Sequence, residues 1–496
     1  MRTFLKHKKN THIIILFFIL FLALFFRTYD IVNRFEFAHD GDLYSWVVKD
    51  IVIDKHFRLI GQLTSAHGIF IGPAFYYTLI PFFLLFKMDP LGATIPITAI
   101  GIATVASYYW VFSRLFNRTA GLIGAFLYAI LLSPVYSDMR VVPSTPTNLW
   151  LVWYFYTIVM LTRGKYSVLP ILGLLVGLIW HIHIALAPAL IAVMVAMFLS
   201  RKRPTAKQVL LATFWFLIPS IPLILFELRH NFLQTLSFIS NLKVDHHGGT
   251  GLYKGYQVLV MISSNINRLF LYPQGFTLAG QFFLCILVFL SGVFLVKKKL
   301  LRTQELVVFY IWILVIILYY TRSSTYISEY YFANIEIIFF SFVVLFLSLI
   351  FKSRAGKFIV LGVLALVLIK NTFYFISHDI FKKGYVERKA VAKYIAEDAR
   401  EKGFPCVAVS YITSLGEDVG FRYFFWLNNL HVNQPKSGSP VYTIVLPVDL
   451  APGDVKAKFG DIGVIPPKDI SSRETIAISC SGQNSNLTDP MFGFTQ

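Results

Sequence analysis

Long apolar runs separated by short polar links dominate the chain up to about residue 376. A helix that crosses a bilayer needs ~20 residues, and most of these runs are close to that length. The stretch 167–199 is too long for one crossing, so we divide it at His181 and His183, where polar side chains interrupt it. The pattern predicts an α-helical polytopic membrane protein with about eleven spans, near residues 12–28, 91–113, 119–137, 147–162, 167–182, 183–199, 208–227, 279–296, 305–320, 331–351 and 356–376.

The basic residues of the links predict the orientation. If the N-terminus is cytoplasmic, the links that fall inside are basic and almost free of acids, as the positive-inside rule requires. These links are 114–118, 163–165, 201–207, 297–302 and 352–357. The assignment works only if residues 69–87, which contain Pro73 and Pro81, do not cross, so we expect a re-entrant or juxtamembrane helix there. The first outer loop (29–90), the large outer loop (228–278) and everything beyond about residue 377 then face outward.

The character of the chain changes near residue 385. Residues 1–384 are predicted to form the membrane domain, residues 385–482 a small α/β domain on the outer face, and residues 483–496 a flexible tail. Within the α/β domain, residues 386–402 place apolar and charged side chains at helical spacing.

Strand-like runs follow that helix, separated by turns rich in Pro and Gly. They are predicted at Cys406–Ile412, Tyr442–Pro447 and Thr475–Cys480. Cys406 and Cys480 could pair if this domain is extracytoplasmic, or both could remain reduced. Cys285 lies within an apolar run, where packing is the expected role.

The amino-acid composition is typical of an integral membrane protein. Hydrophobic residues make up 56% of the 496 and charged residues only 14%, against about 25% charged residues in soluble domains. The chain is therefore expected to be an integral protein of the plasma or inner membrane. Its net charge of +19 lies mainly in the links, where Lys and Arg act as topology signals and contact lipid phosphates. Nucleic acid is not an expected partner.

Two carboxylates directly after the first span are the leading catalytic candidates. Asp40 and Asp42 flank Gly41, which is expected to let the backbone turn sharply and present one or both of them to a cavity. Carboxylates at the edge of a bilayer are costly unless they have partners or a task. One of them can act as a general base while the other orients it. The alternative interpretation is a helix N-cap preceding residues 43–52.

Other polar residues on the predicted outer face are candidates for contacts with a substrate. Arginine suits phosphate because its guanidinium donates parallel hydrogen bonds, although snorkelling or pairing with nearby acids is an equal alternative. The phosphate-binding candidates are Arg140, Arg229, Arg268 and Arg322, and the substrate-lining candidates are Tyr76, Tyr77, His181, His183, Glu329 and Tyr330. The spacing of the histidines does not favour a metal site, and no cofactor is expected. A divalent cation beside Asp40 and Asp42 has no ligand spacing to support it.

Several motifs resemble the GT-C class of membrane glycosyltransferases, and family 39 in particular, which includes protein O-mannosyltransferases and the lipid A aminoarabinose transferase. The resemblance rests on the acidic motif at 40–44, on 72–77 (Gly-Pro-Ala-Phe-Tyr-Tyr), on 86–90 (Phe-Lys-Met-Asp-Pro) and on the basic link 114–121. The plan of many spans, a large outer loop and an outer C-terminal domain is similar too. The chain departs from the commoner Asp-Glu motif of the family, because Leu43 stands where the second acid is expected.

The resemblance implies an inverting glycosyltransferase that takes a sugar from a polyprenyl-phosphate donor. The acceptor would be a lipid, glycan or protein of the cell envelope, and the reaction would take place at the extracytoplasmic face. If the catalytic base of the family is carried over to this chain, it falls best on Asp42, with Asp40 as the alternative. A lipid flippase or transporter would instead place polar groups at the bilayer midplane. A surface-glycan polymerase or ligase with a pyrophosphate-linked donor also stays open.

Overall fold

The computed structural model describes residues 2–64, 68–241, 248–273, 275–378, 381–414 and 416–487. Helices make up most of this part of the chain. In chain order they are α1 (Arg2–Thr28), α2 (Ile31–Arg34), α3 (His39–Val52), α4 (Ala74–Leu85), α5 (Thr94–Leu115), α6 (Arg118–Ile130), α7 (Leu132–Met139), α8 (Thr147–Thr162), α9 (Leu169–Ile182), α10 (Ile191–Ser200), α11 (Ala206–Arg229), α12 (Leu233–Asn241), α13 (Leu252–Leu271), α14 (Leu278–Lys297), α15 (Thr303–Arg322), α16 (Ala333–Ile350), α17 (Arg354–Ser377), α18 (Tyr385–Glu401), α19 (Arg422–Leu427) and α20 (Arg473–Cys480).

The predicted multi-spanning helical class is confirmed. Within the described ranges, 7 segments are long and apolar enough to cross a membrane, and α6 with α7 would make an eighth as one bent span. The remaining three predicted spans fall on the shorter helical segments 147–162, 166–182 and 184–200. Residues 69–87 contain only the 12-residue helix α4, which is too short for a crossing of ~20 residues. The protein is an integral, multi-pass membrane protein.

The bend between α6 and α7, 64°, leaves backbone carbonyls that a membrane interior cannot satisfy with water. Side chains from two other helices satisfy them. The Arg27 guanidinium donates to the carbonyls of Tyr128 and Ala129, at 3.5 and 3.3 Å. The Asn371 amide donates to the carbonyl of Ile130 at 2.9 Å. The break is therefore stabilised by specific hydrogen bonds, and it turns α7 away from the axis of α6.

The C-terminal region contains a five-stranded mixed sheet in the order β2-β1-β3-β5-β4. Its strands are β1 (Val407–Thr413), β2 (Val432–Asn433), β3 (Val441–Leu446), β4 (Ala457–Phe459) and β5 (Ile462–Ile465). The predicted strands at 406–412 and 442–447 correspond to β1 and β3. The predicted strand Thr475–Cys480 is wrong, because this segment is helix α20, whose first turn is capped by the Ser472 hydroxyl. A disulfide joins Cys406 to Cys480.

The C-terminal region packs directly on the loop after the first span (residues 29–90), which is predicted to face outward. Phe37 lies 4.6 Å from Phe424 between ring centroids, and α3, α4 and the sheet share one apolar core, separate from the core of the helical bundle. Tyr385 donates its hydroxyl to Asp89 at 2.7 Å, and its backbone N–H bonds to the carbonyl of Phe35 at 3.1 Å. The domain boundaries at 384 and 482 stay predictions, and the predicted tail lies largely beyond the described residues.

Candidate active site

The two motif carboxylates lie in the first turn of α3, where negative charge is favoured by the positive end of the helix dipole. The expectation of a sharp glycine turn is wrong, because Gly41 is helical. A side chain at this position would place its Cβ 2.6 Å from the Phe37 ring, so the glycine permits close packing instead. Residues two apart on a helix do not face each other. Asp40 and Asp42 consequently point to different surroundings.

Asp42 is turned toward the C-terminal region. Its side chain is buried, and one carboxylate oxygen accepts the backbone N–H of Tyr423 at 2.9 Å, at the start of α19. Burial raises the pKa of Tyr411 and of Tyr423, and the charge of Asp42 adds to both shifts. Asp42 therefore links the loop after the first span to the C-terminal region.

Asp40 is exposed, and its charge acts on three tyrosines. Burial and then the charge of Asp40 raise the pKa of Tyr44 well above its usual value. Burial raises the pKa of Tyr76, and Asp40 contributes to that shift as well. Asp40 also interacts electrostatically with Tyr330, at the start of the segment that leads into α16. His183 packs against the same tyrosine at 5.1 Å between ring centroids.

A cavity of about 440 Å³ opens beside Tyr330. It lies between α7, the beginning of α8, the end of α13 and the beginning of α16, which are the ends predicted to face outward. Four of the candidates from the sequence line it: Arg140, Arg268, Glu329 and Tyr330. Further polar lining comes from Arg34, Glu36, Ser133, Ser137, Asn148, Asn265 and Glu336, and aromatic lining from Tyr108, Tyr128, Tyr136 and Tyr272. Cations, carboxylates and tyrosines on one wall suit a ligand that carries both phosphate and sugar hydroxyls.

Two of the cavity arginines have carboxylate partners at the surface. Arg268 pairs with Glu329, and both side chains are about half exposed. Arg140 lies 3.9 Å from Glu36, with side chains 60% and 51% exposed. Exposed pairs of this kind are weak, since water screens them and long side chains lose freedom. Either arginine can therefore exchange its partner for an anionic ligand at small cost.

Sequence reasoning missed residues at the base of the cavity. Glu336 lies in α16 and receives the Asn265 amide at 3.2 Å, while Asn265 also donates to the backbone carbonyl of Glu329 at 2.7 Å. A signal was present, because Glu336 is a carboxylate inside an apolar span, and such residues are functional candidates by default. Arg34 and Glu36 were overlooked although they stand just before the acidic motif.

Other predicted site residues lie outside the cavity lining. Arg229 and Arg322 are exposed near the ends of α11 and α15. The Tyr77 hydroxyl donates to the carbonyl of Arg58 at 3.0 Å. His181 accepts the backbone N–H of Ala74 through Nδ1 at 3.3 Å and bonds to the Pro219 carbonyl through Nε2 at 2.7 Å, so backbone groups occupy both of its nitrogens.

Tyr76 lies near Asp40, but its hydroxyl is engaged by Gln62. The hydroxyl accepts the Gln62 backbone N–H and donates to the Gln62 side-chain oxygen, both at 3.0 Å. Among the described residues, no group of three or more His, Cys, Asp or Glu side chains is arranged to hold a metal ion. The candidate site is thus the polar lining of the cavity, which includes Tyr330, and Asp40 is coupled to it through its electrostatic interaction with Tyr330.

Solved structures of similar fold are known. The crystal structure of ArnT from Cupriavidus metallidurans bound to undecaprenyl phosphate matches 92% of this chain and 98% of that chain, with a TM-score of 0.58 and 12% identity. The apo form of the same protein gives a TM-score of 0.54 over the same shares, at 11% identity. The apo oligosaccharyltransferase of Archaeoglobus fulgidus gives 0.55 at 14% identity, over 94% of this chain and 76% of that one.

No family model matches the chain, and no curated protein sequence matches it. The likeness is therefore one of structure, and at 11–14% identity it speaks to the fold. It extends over nearly the whole of this chain, including the C-terminal sheet region, and it agrees with the resemblance found in the sequence motifs. The chain has the GT-C fold of membrane glycosyltransferases.

Proposed function

We propose that this protein is an inverting glycosyltransferase that moves a sugar from a polyprenyl-phosphate donor to a cell-envelope lipid, glycan or protein. The observation that carries the proposal is the polar cavity lined by Tyr330, Arg140 and Arg268, because Asp40 interacts electrostatically with Tyr330. In this proposal Asp40 is the carboxylate and the two arginines are the phosphate-binding cations of one site on a GT-C fold. A similar fold has been crystallised with undecaprenyl phosphate, which makes a polyprenyl-phosphate donor the natural choice.

The reaction assigns a separate role to each group. Asp40 removes the proton from the acceptor hydroxyl as its oxygen forms a bond to the anomeric carbon of the sugar. The bond from that carbon to the phosphate oxygen breaks, and its electron pair leaves with the polyprenyl phosphate. Arginine side chains offset the negative charge that develops on this leaving group. Attack from the face opposite the phosphate inverts the anomeric centre.

Asp40 is preferred over Asp42 as the base in this proposal. An acceptor has to reach the base, and Asp40 is exposed whereas Asp42 is buried against Tyr423. The favoured residue from the sequence, Asp42, then serves as a positioning residue. It holds the C-terminal domain against the helix that carries Asp40.

The disulfide supports an extracytoplasmic position for the site. Disulfides persist in oxidising compartments and are rare in the cytosol. The bond between Cys406 and Cys480 lies in the region that the positive-inside rule places outside. The C-terminal domain packs on the first outer loop, so both would share one side of the membrane with the cavity.

Sugar transfer in isolated membranes tests the proposal. Membranes are supplied with a radiolabelled pool of polyprenyl-phosphate sugars, and transfer is compared for the parent, Asp40→Asn and Asp54→Asn at equal folded abundance. Loss of a general base lowers turnover by about 10²–10⁴-fold, so Asp40→Asn should be nearly inactive. Asp54 belongs to the same loop and pairs with Lys49 at the surface, so its variant should match the parent. Equal turnover of Asp40→Asn and the parent would refute the assignment of the base, and lipid movement without transfer would favour a flippase.

A further inference from the structure

Arg34 is a buried cation without a counter-ion among the described residues. Its side chain is 4% exposed at the end of α2 and forms part of the cavity wall. Its Nη2 donates to the backbone carbonyls of Phe375 and His378 at the end of α17. Its Nε and Nη1 have no hydrogen-bond partner within the part of the chain that the structure describes.

Neighbouring groups hold the guanidinium in place without neutralising it. The Phe375 ring lies 4.3 Å from its central carbon, and the carbonyls at the end of α17 present the negative end of a helix dipole. These groups fix the orientation but leave a full positive charge. The nearby acid Glu36 is placed against Arg140 instead. A buried charge without a partner costs several kcal/mol, and buried donors without acceptors add to that cost.

A group that is both costly and firmly oriented points to a ligand. We propose that Arg34 binds the phosphate of the polyprenyl-phosphate donor, with Arg140 and Arg268 contributing from the exposed side of the cavity. This inference rests on the proposed function. The phosphodiester of the intact donor carries one negative charge, and the polyprenyl phosphate monoester released by transfer carries nearly two. Arg34 would therefore interact more strongly with the departing phosphate than with the intact donor, which accelerates the chemical step.

The arrangement also gives the C-terminal region a role in the site. The chain around Arg34 is held on both sides, by α17 through Phe375 and His378 and by α18 through the bond from Tyr385 N–H to the Phe35 carbonyl. The position of the phosphate site is thus set jointly by the last span and the first helix of the C-terminal domain.

Ligand binding to the purified full chain in lipid nanodiscs tests the inference without relying on turnover. Thermal unfolding is followed with undecaprenyl phosphate, with undecaprenol and with inorganic phosphate, for the parent, Arg34→Gln, Arg34→Lys and Arg473→Gln. Arg473 is an exposed arginine of the C-terminal domain, so its variant is a control that removes the same charge. Ligand that binds the folded state raises the melting temperature, and the concentration dependence gives the affinity.

We expect Arg34→Gln to weaken binding of undecaprenyl phosphate by about 10- to 100-fold, since hydrogen bonds to charged groups are worth about 1.5–3 kcal/mol. Binding of undecaprenol should be unchanged, because it has no phosphate. Arg34→Lys should fall between the parent and Arg34→Gln, since one ammonium cannot both hold the two carbonyls and present further planar donors. Inorganic phosphate that competes with undecaprenyl phosphate in the parent, but not in Arg34→Gln, would place the anion itself at this residue.

Two results would overturn the inference while leaving the proposed function intact. One is an unchanged affinity of Arg34→Gln for undecaprenyl phosphate. The other is an equal loss for undecaprenyl phosphate and undecaprenol together with a lower melting temperature of the free protein, which would make Arg34 a structural anchor only. If the parent binds none of the three ligands, the proposed function fails and the inference fails with it. In transfer assays, the inference requires a larger loss in kcat than increase in KM.

Discussion

Arg27 and Arg34 lie seven residues apart at the end of the first span, and both are buried, at 0% and 4% exposure. Their surroundings differ. All three nitrogens of Arg27 have acceptors, including the Asp138 carboxylate at 2.7 Å and carbonyls of α1 and α6. Among the described residues, only Nη2 of Arg34 has acceptors. The two arginines are therefore both buried but differ in the number of donors left without acceptors, and this difference is the basis for proposing a ligand at Arg34.

The same contrast separates the two motif carboxylates. Asp42 is buried and bonded to the N-terminus of a helix, as structural acids commonly are. Asp40 is exposed and interacts electrostatically with Tyr330. We propose structural roles for Arg27 and Asp42, and contacts with the substrate for Arg34 and Asp40.

The largest loss of stability is expected when the satisfied pair is broken. Arg27→Gln or Asp138→Asn leaves a buried partner without compensation, which costs about 3–5 kcal/mol. Thermal or denaturant unfolding in detergent measures this loss. Lys393→Gln, which removes one partner of the exposed pair with Glu397, is the control and should change stability by less than about 0.5 kcal/mol. If Arg27→Gln and the parent have the same melting temperature, the structural role of Arg27 is refuted.

A smaller loss of stability is expected for Asp42→Asn. Its remaining amide oxygen is a weaker acceptor for the Tyr423 N–H, and weakening a buried charge-assisted hydrogen bond costs about 1–3 kcal/mol. Limited proteolysis should release the C-terminal domain sooner, while turnover per folded molecule stays within about tenfold of the parent, far less than a missing base would cause. If Asp42→Asn abolishes turnover in fully folded protein, the favoured base from the sequence was correct.

The smallest effect is expected for Glu36→Gln. The Glu36 carboxylate and Arg140 are half exposed and 3.9 Å apart, so the loss of their interaction should change the free energy of unfolding by about 0–1 kcal/mol. Unfolding measured at low and high salt should show that the small difference shrinks as salt screens it. A loss above ~2 kcal/mol would mean that this pair is structural, like Arg27 and Asp138.

Local chemistry explains which parts of the fold could be predicted. A bilayer demands apolar segments of sufficient length, so every predicted span corresponds to a helical segment. The false strand at 475–480 arose from an apolar composition that fits either element, while Ser472, which caps α20, was the decisive local signal. The prediction of a sharp turn at Gly41 was wrong for another reason. A glycine is also required where Phe37 packs closely against the helix.

The candidate site was predictable only in part. Arg140, Arg268, Glu329 and Tyr330 could be named because charged and aromatic side chains near span ends stand out. What the sequence could not show was which of them share a cavity. The hydrogen bonds of Arg34 depend on carbonyls that lie 341 and 344 residues later in the chain. The burial of Asp42 depends on a helix that lies 381 residues later. Such relations appear only when the chain is folded.

The contact between Arg34 and the end of α17 has a consequence for biogenesis. The residues that fix Arg34 are synthesised 341 positions later, which at about 5–20 residues per second is a delay of roughly 20–70 seconds. During that interval α1 and the loop that follows it have already been synthesised, but the carbonyls that hold Arg34 have not. If Arg34 binds the donor phosphate as proposed, nascent or truncated chains would lack an ordered phosphate site until the last predicted span is in place.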